Sequence, residues 1–160
     1  MKTLKNLLKT PLQLQRIPKW IPIVLLIVAF IGFADATYLT VEHYQNKIPP
    51  CTIGGCESVL TSQYAQVLGM PVSLLGAIYY LIVIISLFLY LDTKKELFLR
   101  IPMLLSVFGA LASLGFMYVM IFVIKAFCQY CVLSALSSLT IFGFSLWSLC
   151  SSQKVQEQSF

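Results

Sequence analysis

Charge is what this sequence has least of: Asp, Glu, Lys and Arg together make up 11% of its 160 residues. Hydrophobic residues make up 59%, more than the core of a soluble domain this small can use, and mean hydropathy is +0.87. Together these exclude a soluble globular protein and identify an integral membrane protein. Acids are scarcer than bases, which leaves a net charge of +5. That excess would suit nucleic acid only if it lay on a soluble face; here the basic residues flank apolar spans, so no nucleic-acid partner is expected. Histidine is nearly absent, and the single His43 reads as an interfacial residue rather than a catalytic one. No polar run is long enough for a soluble domain, and no internal repeat is visible.

What the chain does have is four long apolar stretches. Residues 1–19 form a basic leader with Lys2, Lys5, Lys9, Arg16 and Lys19 and no acid. From Trp20 to about Val41 the sequence is apolar, enough at ~1.5 Å per residue to cross a ~30 Å hydrocarbon layer. Ala34-Asp35-Ala36 resembles a signal-peptide cleavage site, but the apolar character continues through Tyr38, Leu39 and Val41, which favours a retained span. Further spans are expected over about 71–91, 101–124 and 128–149, followed by a polar tail at 151–160. The fold class is therefore an all-α four-transmembrane-helix bundle embedded in lipid, with residues 20–150 as one membrane domain. The loop 42–70 is the one substantial polar connection. After Cys56, the spacing of Val59, Leu60, Tyr64, Val67 and Leu68 predicts a short amphipathic helix at the membrane interface. The small residues Gly109, Ala110, Ala112, Ser113 and Gly115 predict close helix packing in the third span.

The basic residues set an orientation. Five in the leader, Lys94, Lys95 and Arg100 in the second turn, and Lys154 in the tail lie on one side; Lys47 and Lys125 lie on the other. Nine against two places both termini in the cytoplasm by the positive-inside rule. Cys51, Cys56, Cys128 and Cys131 then all face outward, where disulfides form and persist in a bacterium. Cys150 lies roughly 28 Å along the last span from Cys131, at ~1.5 Å per residue, and reads as a bystander.

Cys128-Gln129-Tyr130-Cys131 is a Cys-x-x-Cys at the start of a helix, where two sulfurs share a face and the helix N-terminus favours a thiolate. Gly54-Gly55 permits the turn that brings Cys51 and Cys56 together. Three readings fit four outward cysteines: two static bridges, a four-thiolate zinc site, or an electron relay. The relay explains why one pair is flanked by polar residues and the other by membrane. The alternative from another class is a non-enzymatic membrane protein whose disulfides brace its external loop.

The sequence resembles the bacterial form of the vitamin K epoxide reductase family over about residues 20–150. The resemblance rests on Asp35-Ala36-Thr37-Tyr38-Leu39-Thr40, Cys51 and Cys56, Ser62, Pro71-Val72-Ser73-Leu74-Leu75-Gly76 with Tyr79, and Cys128-Gln129-Tyr130-Cys131. It implies a four-helix bundle around a quinone, ubiquinone or menaquinone, that reoxidises a periplasmic DsbA-like thioredoxin-fold protein and so supports disulfide formation. It implies that Cys128 and Cys131 are the active-site pair with Cys131 nearest the quinone, and that Cys51 and Cys56 are a shuttle pair. Cys56 would take the partner's sulfur and Cys51 would pass electrons to Cys128. Ser62 would sit near the quinone head as a hydrogen-bond donor. Animal members carry asparagine where Val72 stands and tyrosine where Ala135 stands, so the resemblance does not extend to epoxide reduction. The ten-residue tail is too short for the thioredoxin-like domain fused to some bacterial members, which implies a separate soluble partner.

Overall fold

The protein is described from a computed structural model covering residues 20–51, 55–67, 69–93 and 97–157, with the side chains of residues 97 and 148–157 outside that description. The basic leader, residues 158–160 and the Cys150 side chain therefore lie outside the described residues, whereas the backbone of 151–157, expected as a tail, continues the last helix. Four long helices dominate: α1 (Trp20–Tyr44), α3 (Val72–Thr93), α4 (Leu97–Tyr118) and α5 (Gln129–Glu157). Each is long and apolar enough to cross a membrane, and each reads apolar on all sides because its outer face meets lipid rather than water. The outward side chains include Phe88, Phe108, Leu111 and Phe122.

The helices pack in a ring. Helix α1 lies against α3 and α5, and α4 lies against the same two neighbours. Small residues set the close approaches, as membrane helices require. Gly76 on α3 meets Ala36 on α1, and Gly32 on α1 lies against the ring of Tyr80, whose hydroxyl donates to the Ser134 carbonyl at 2.7 Å. A Cβ at Gly32 would overlap that ring. Gly32→Ala is therefore expected to lower stability by roughly 1–3 kcal/mol, read as a lower thermal midpoint in detergent. Gly109 likewise sits against Tyr79 and Ser138, whereas Gly115 touches no neighbour and lines a cavity.

The loop between α1 and α3 carries the short helix expected after Cys56. This helix, α2, covers Cys56–Leu60; a 3-10 turn follows at Gln63–Ala65, then an antiparallel pair, β1 (Gln66–Val67) with β2 (Met70–Pro71). It ends sooner than the apolar spacing suggests: the Thr61 and Ser62 hydroxyls donate to the Glu57 and Val59 carbonyls, and the backbone is extended at Ser62. Gly69, with φ of 79°, makes the turn between the two short strands.

At the far end of α4 the last six residues, Val119–Ile124, are wound as a π-helix. Lys125 closes it in the left-handed region with φ of 54°. This wider turn delivers the chain to Cys128 within three residues and leaves Ala126 and Phe127 facing the loop. π-turns of this kind are frequent beside functional sites.

Candidate functional site

The site is built where the outward loop meets the head of α5. Cys128 stands immediately before that helix, and its carbonyl accepts the N–H of Val132 at 3.0 Å, so it occupies the N-cap position. Its Sγ accepts the backbone N–H of Cys131 at 3.4 Å, as a capping oxygen does in other helices. A hydrogen bond from the Cys131 thiol, with backbone N–H groups of Cys131 and Tyr130, pulls the Cys128 thiol down to about 7 against the opposing effect of burial. The helix N-terminus thus supports the first cysteine of the motif rather than the second. Reduced protein is expected to hold Cys128 mainly as thiol at pH 6 and mainly as thiolate at pH 8. Thiolate ultraviolet absorbance that rises through that range and disappears in Cys128→Ser would show it.

Cys51 and Cys56 are joined by a disulfide with Cα atoms 6.2 Å apart, while Cys128 and Cys131 are free thiols. Cys56 and Cys128 are both 0% exposed and share one apolar cluster with Val59 and Met120, against which Cys51 and Cys131 also pack. Cys51, Cys56, Cys128 and Cys131 are therefore gathered at one end of the bundle. Two contacts hold the loop there. Tyr130 donates its hydroxyl to the Pro50 carbonyl at 3.1 Å, one residue before Cys51. Gly55, with φ of 124°, lies so close to Ala126 and Phe127 that a Cβ would be 3.0 Å from the Phe127 nitrogen.

Beneath the thiols lies a cavity of about 970 Å³, in the size range of small-molecule sites. Cys131 lines it and Cys128 does not. Val72 and Ala135, the two departures from the animal pattern, line it as well. The cavity also reaches Ile78, Ile82 and Phe108 on α3 and α4, which are exposed on the bundle's outer face; Phe108 is 71% exposed. A flat ring with an isoprenoid tail fits this shape, with the tail leaving between α3 and α4 into lipid. Polar lining fits a quinone too. Tyr79 OH and Ser138 Oγ converge at Gly109, within reach of each other, and both residues line the cavity. Ser62 lines the cavity but already donates to Val59. In the sequence Tyr79 stands in the stretch that carries the family resemblance, whereas Ser138 went unmarked; its signal was a pair of hydroxyls, Ser134 and Ser138, one turn apart in an apolar span.

A reducible loop disulfide, a dithiol at a helix head and an apolar chamber under one of its sulfurs define a membrane thiol–disulfide oxidoreductase. The sequence profile of the vitamin K epoxide reductase family matches residues 23–146, and the chain belongs to that family. Its members are quinone-dependent disulfide oxidoreductases that work with thioredoxin-like partners, and this chain is such an enzyme. No curated protein matches the chain.

Proposed function

We propose that the protein reoxidises a periplasmic DsbA-like protein and passes the electrons to ubiquinone or menaquinone in the bacterial cytoplasmic membrane, supporting disulfide formation. Both termini face the cytoplasm in this reading, in line with the nine-to-two distribution of basic residues. The observation that carries it is the gathering of the loop disulfide with Cys128 in one buried cluster while Cys131 opens onto the cavity.

Burial favours a division of labour between the loop cysteines opposite to that implied by the family resemblance. Cys51 is partly exposed and suits attack by the partner's thiolate; Cys56 is enclosed with Cys128 and suits the inner exchange. The partner's thiolate attacks Cys51, Cys56 leaves, and the partner's second cysteine resolves the mixed disulfide. Cys56 then attacks Cys128 of the oxidised pair and frees Cys131. Cys51 attacks Cys56, re-forming the loop disulfide and releasing Cys128, whose hydrogen bonds make it a good leaving group. The arrangement seen here, loop oxidised and inner pair reduced, corresponds to the end of this exchange. Bound quinone supplies the electron acceptor. Tyr79 and Ser138, which line the cavity with Cys131, would turn their hydroxyls to its head.

Thiol trapping in membranes tests the proposal. All four cysteines are expected to become reduced on addition of reduced DsbA-like protein and to reoxidise on addition of a short-chain quinone. Cysteines that stay oxidised in both conditions would make the disulfides structural and the relay untenable.

A further inference from the structure

Moving two electrons from a dithiol to a quinone also moves two protons, so the thiols need a group that can carry one. Asp35 is the acid best placed to serve that need. It lies inside α1, is 7% exposed, and its Oδ2 is sealed from solvent with no hydrogen-bond partner. An ionisable side chain within a membrane span is costly and persists where it has a task. Its position is specific. Ala36 and Leu39, on the same helix, line the cavity beside Cys131, and Tyr38 stacks on Tyr130 with ring centroids 5.6 Å apart, fixing this part of α1 against the Cys-x-x-Cys turn.

The titratable groups facing it are Tyr80 from α3 and the Cys128 and Cys131 thiols from the head of α5. Tyr80 is engaged with Ser134. Glu42, His43 and Lys47 line the outer part of the cavity, two turns or more toward the loop. The carboxyl is therefore a buried acid on the cavity-lining helix, with Oδ2 unpartnered among the described residues.

We propose that Asp35 is the proton carrier for the inner dithiol: it takes the proton of the Cys131 thiol as that sulfur is oxidised and delivers it to an oxygen of the quinol. The step balances. One S–S bond forms between Cys128 and Cys131, two electrons pass to the quinone, the Cys131 proton reaches the quinol by way of Asp35, which returns to its starting state, and the second quinol proton comes from the solvent that takes up the proton Cys128 releases. This rests on the quinone-dependent reading above.

The test measures single-turnover oxidation of the Cys128–Cys131 dithiol by a short-chain quinone across pH, alongside reduction of the Cys51–Cys56 disulfide by dithiothreitol. Asp35→Asn is expected to slow the quinone step roughly 10²- to 10⁴-fold and flatten its pH profile, the range typical of a lost acid–base group. Loop reduction is expected to remain unchanged, and Asp35→Glu to recover much of the rate. An independent readout keeps aspartate at position 35. The only other aspartate is Asp92, so isotope-labelled aspartate in Asp92→Asn protein reports Asp35 alone by infrared difference spectroscopy. Its carboxyl band is expected to change when the dithiol is oxidised chemically, without quinone. Wild-type speed in Asp35→Asn, no recovery in Asp35→Glu, or an unchanged band would overturn the assignment. Failure of wild-type protein to reduce quinone would instead overturn the functional reading beneath it.

Discussion

Removing Cys131 is expected to abolish quinone-dependent turnover, by roughly 10³-fold or more, and to trap a covalent link between the loop and Cys128. Cys131 is the thiol that opens onto the cavity, so without it electrons that reach Cys128 have no onward route. Cys128, as a thiolate, would attack the loop disulfide and keep the loop sulfur it meets, releasing the other as a thiol. Double variants identify that sulfur when the thiol oxidant diamide, itself reduced to the hydrazine, takes up the two electrons. With Cys131→Ser and Cys51→Ser a diamide-induced cross-link to Cys128 is expected, because Cys56 shares the buried cluster with Cys128. With Cys131→Ser and Cys56→Ser it is expected to be largely absent. Peptide mapping of the cross-linked protein distinguishes the two, and the reverse pattern would restore the order implied by the family resemblance, with Cys51 as the inner shuttle.

The second large effect is expected at a residue with no chemistry of its own. Gly55 adopts a φ of 124°, and a Cβ there would lie 3.0 Å from the Phe127 nitrogen, 3.1 Å from Ala126 Cβ and 3.2 Å from the Phe127 carbonyl oxygen. Two of these neighbours are backbone atoms, which cannot swing aside. Gly55→Ala adds backbone strain on the order of 1–3 kcal/mol and pushes the loop away from the turn that carries Cys128. A displacement of ~1 Å between reacting groups can cost on the order of 10²-fold in rate. Electron transfer from the loop dithiol to the Cys128–Cys131 disulfide should fall by about that factor in stopped-flow quench experiments. Reduction of the loop disulfide by a small dithiol should be spared, since Cys51 remains accessible. Equal slowing of both steps would show that the substitution merely unfolds the loop.

These two predictions also separate what is local from what is not. Spans are legible in sequence because each long apolar run must satisfy its backbone within one helix, and α1, α3, α4 and α5 lie close to where hydropathy places them. The Cys-x-x-Cys at a helix start is equally local, since the same few residues form the cap and supply the sulfurs. The outward loop is less legible. Its apolar spacing reads as one helix out to Leu68, but α2 ends at Leu60 and a 3-10 turn and a strand pair follow. Hydropathy cannot see such a change, nor the π-turn at Val119–Ile124, because both alter backbone hydrogen bonding without altering composition.

Membrane residence, four spans, the family pattern and the identity of the four outward cysteines follow from composition, periodicity and spacing, because each depends on residues near one another in the chain. Tertiary structure alone decided which cysteine meets which. Cys56 and Cys128 come together through Gly55 packing on a turn some seventy residues away in sequence, and Cys131 is turned toward the cavity because Cys128 occupies the cap of α5. The meeting of Tyr79, Gly109 and Ser138 from three separate helices, and the enclosure of Asp35 beside the thiols, are likewise products of helix packing, which spacing along one helix does not encode.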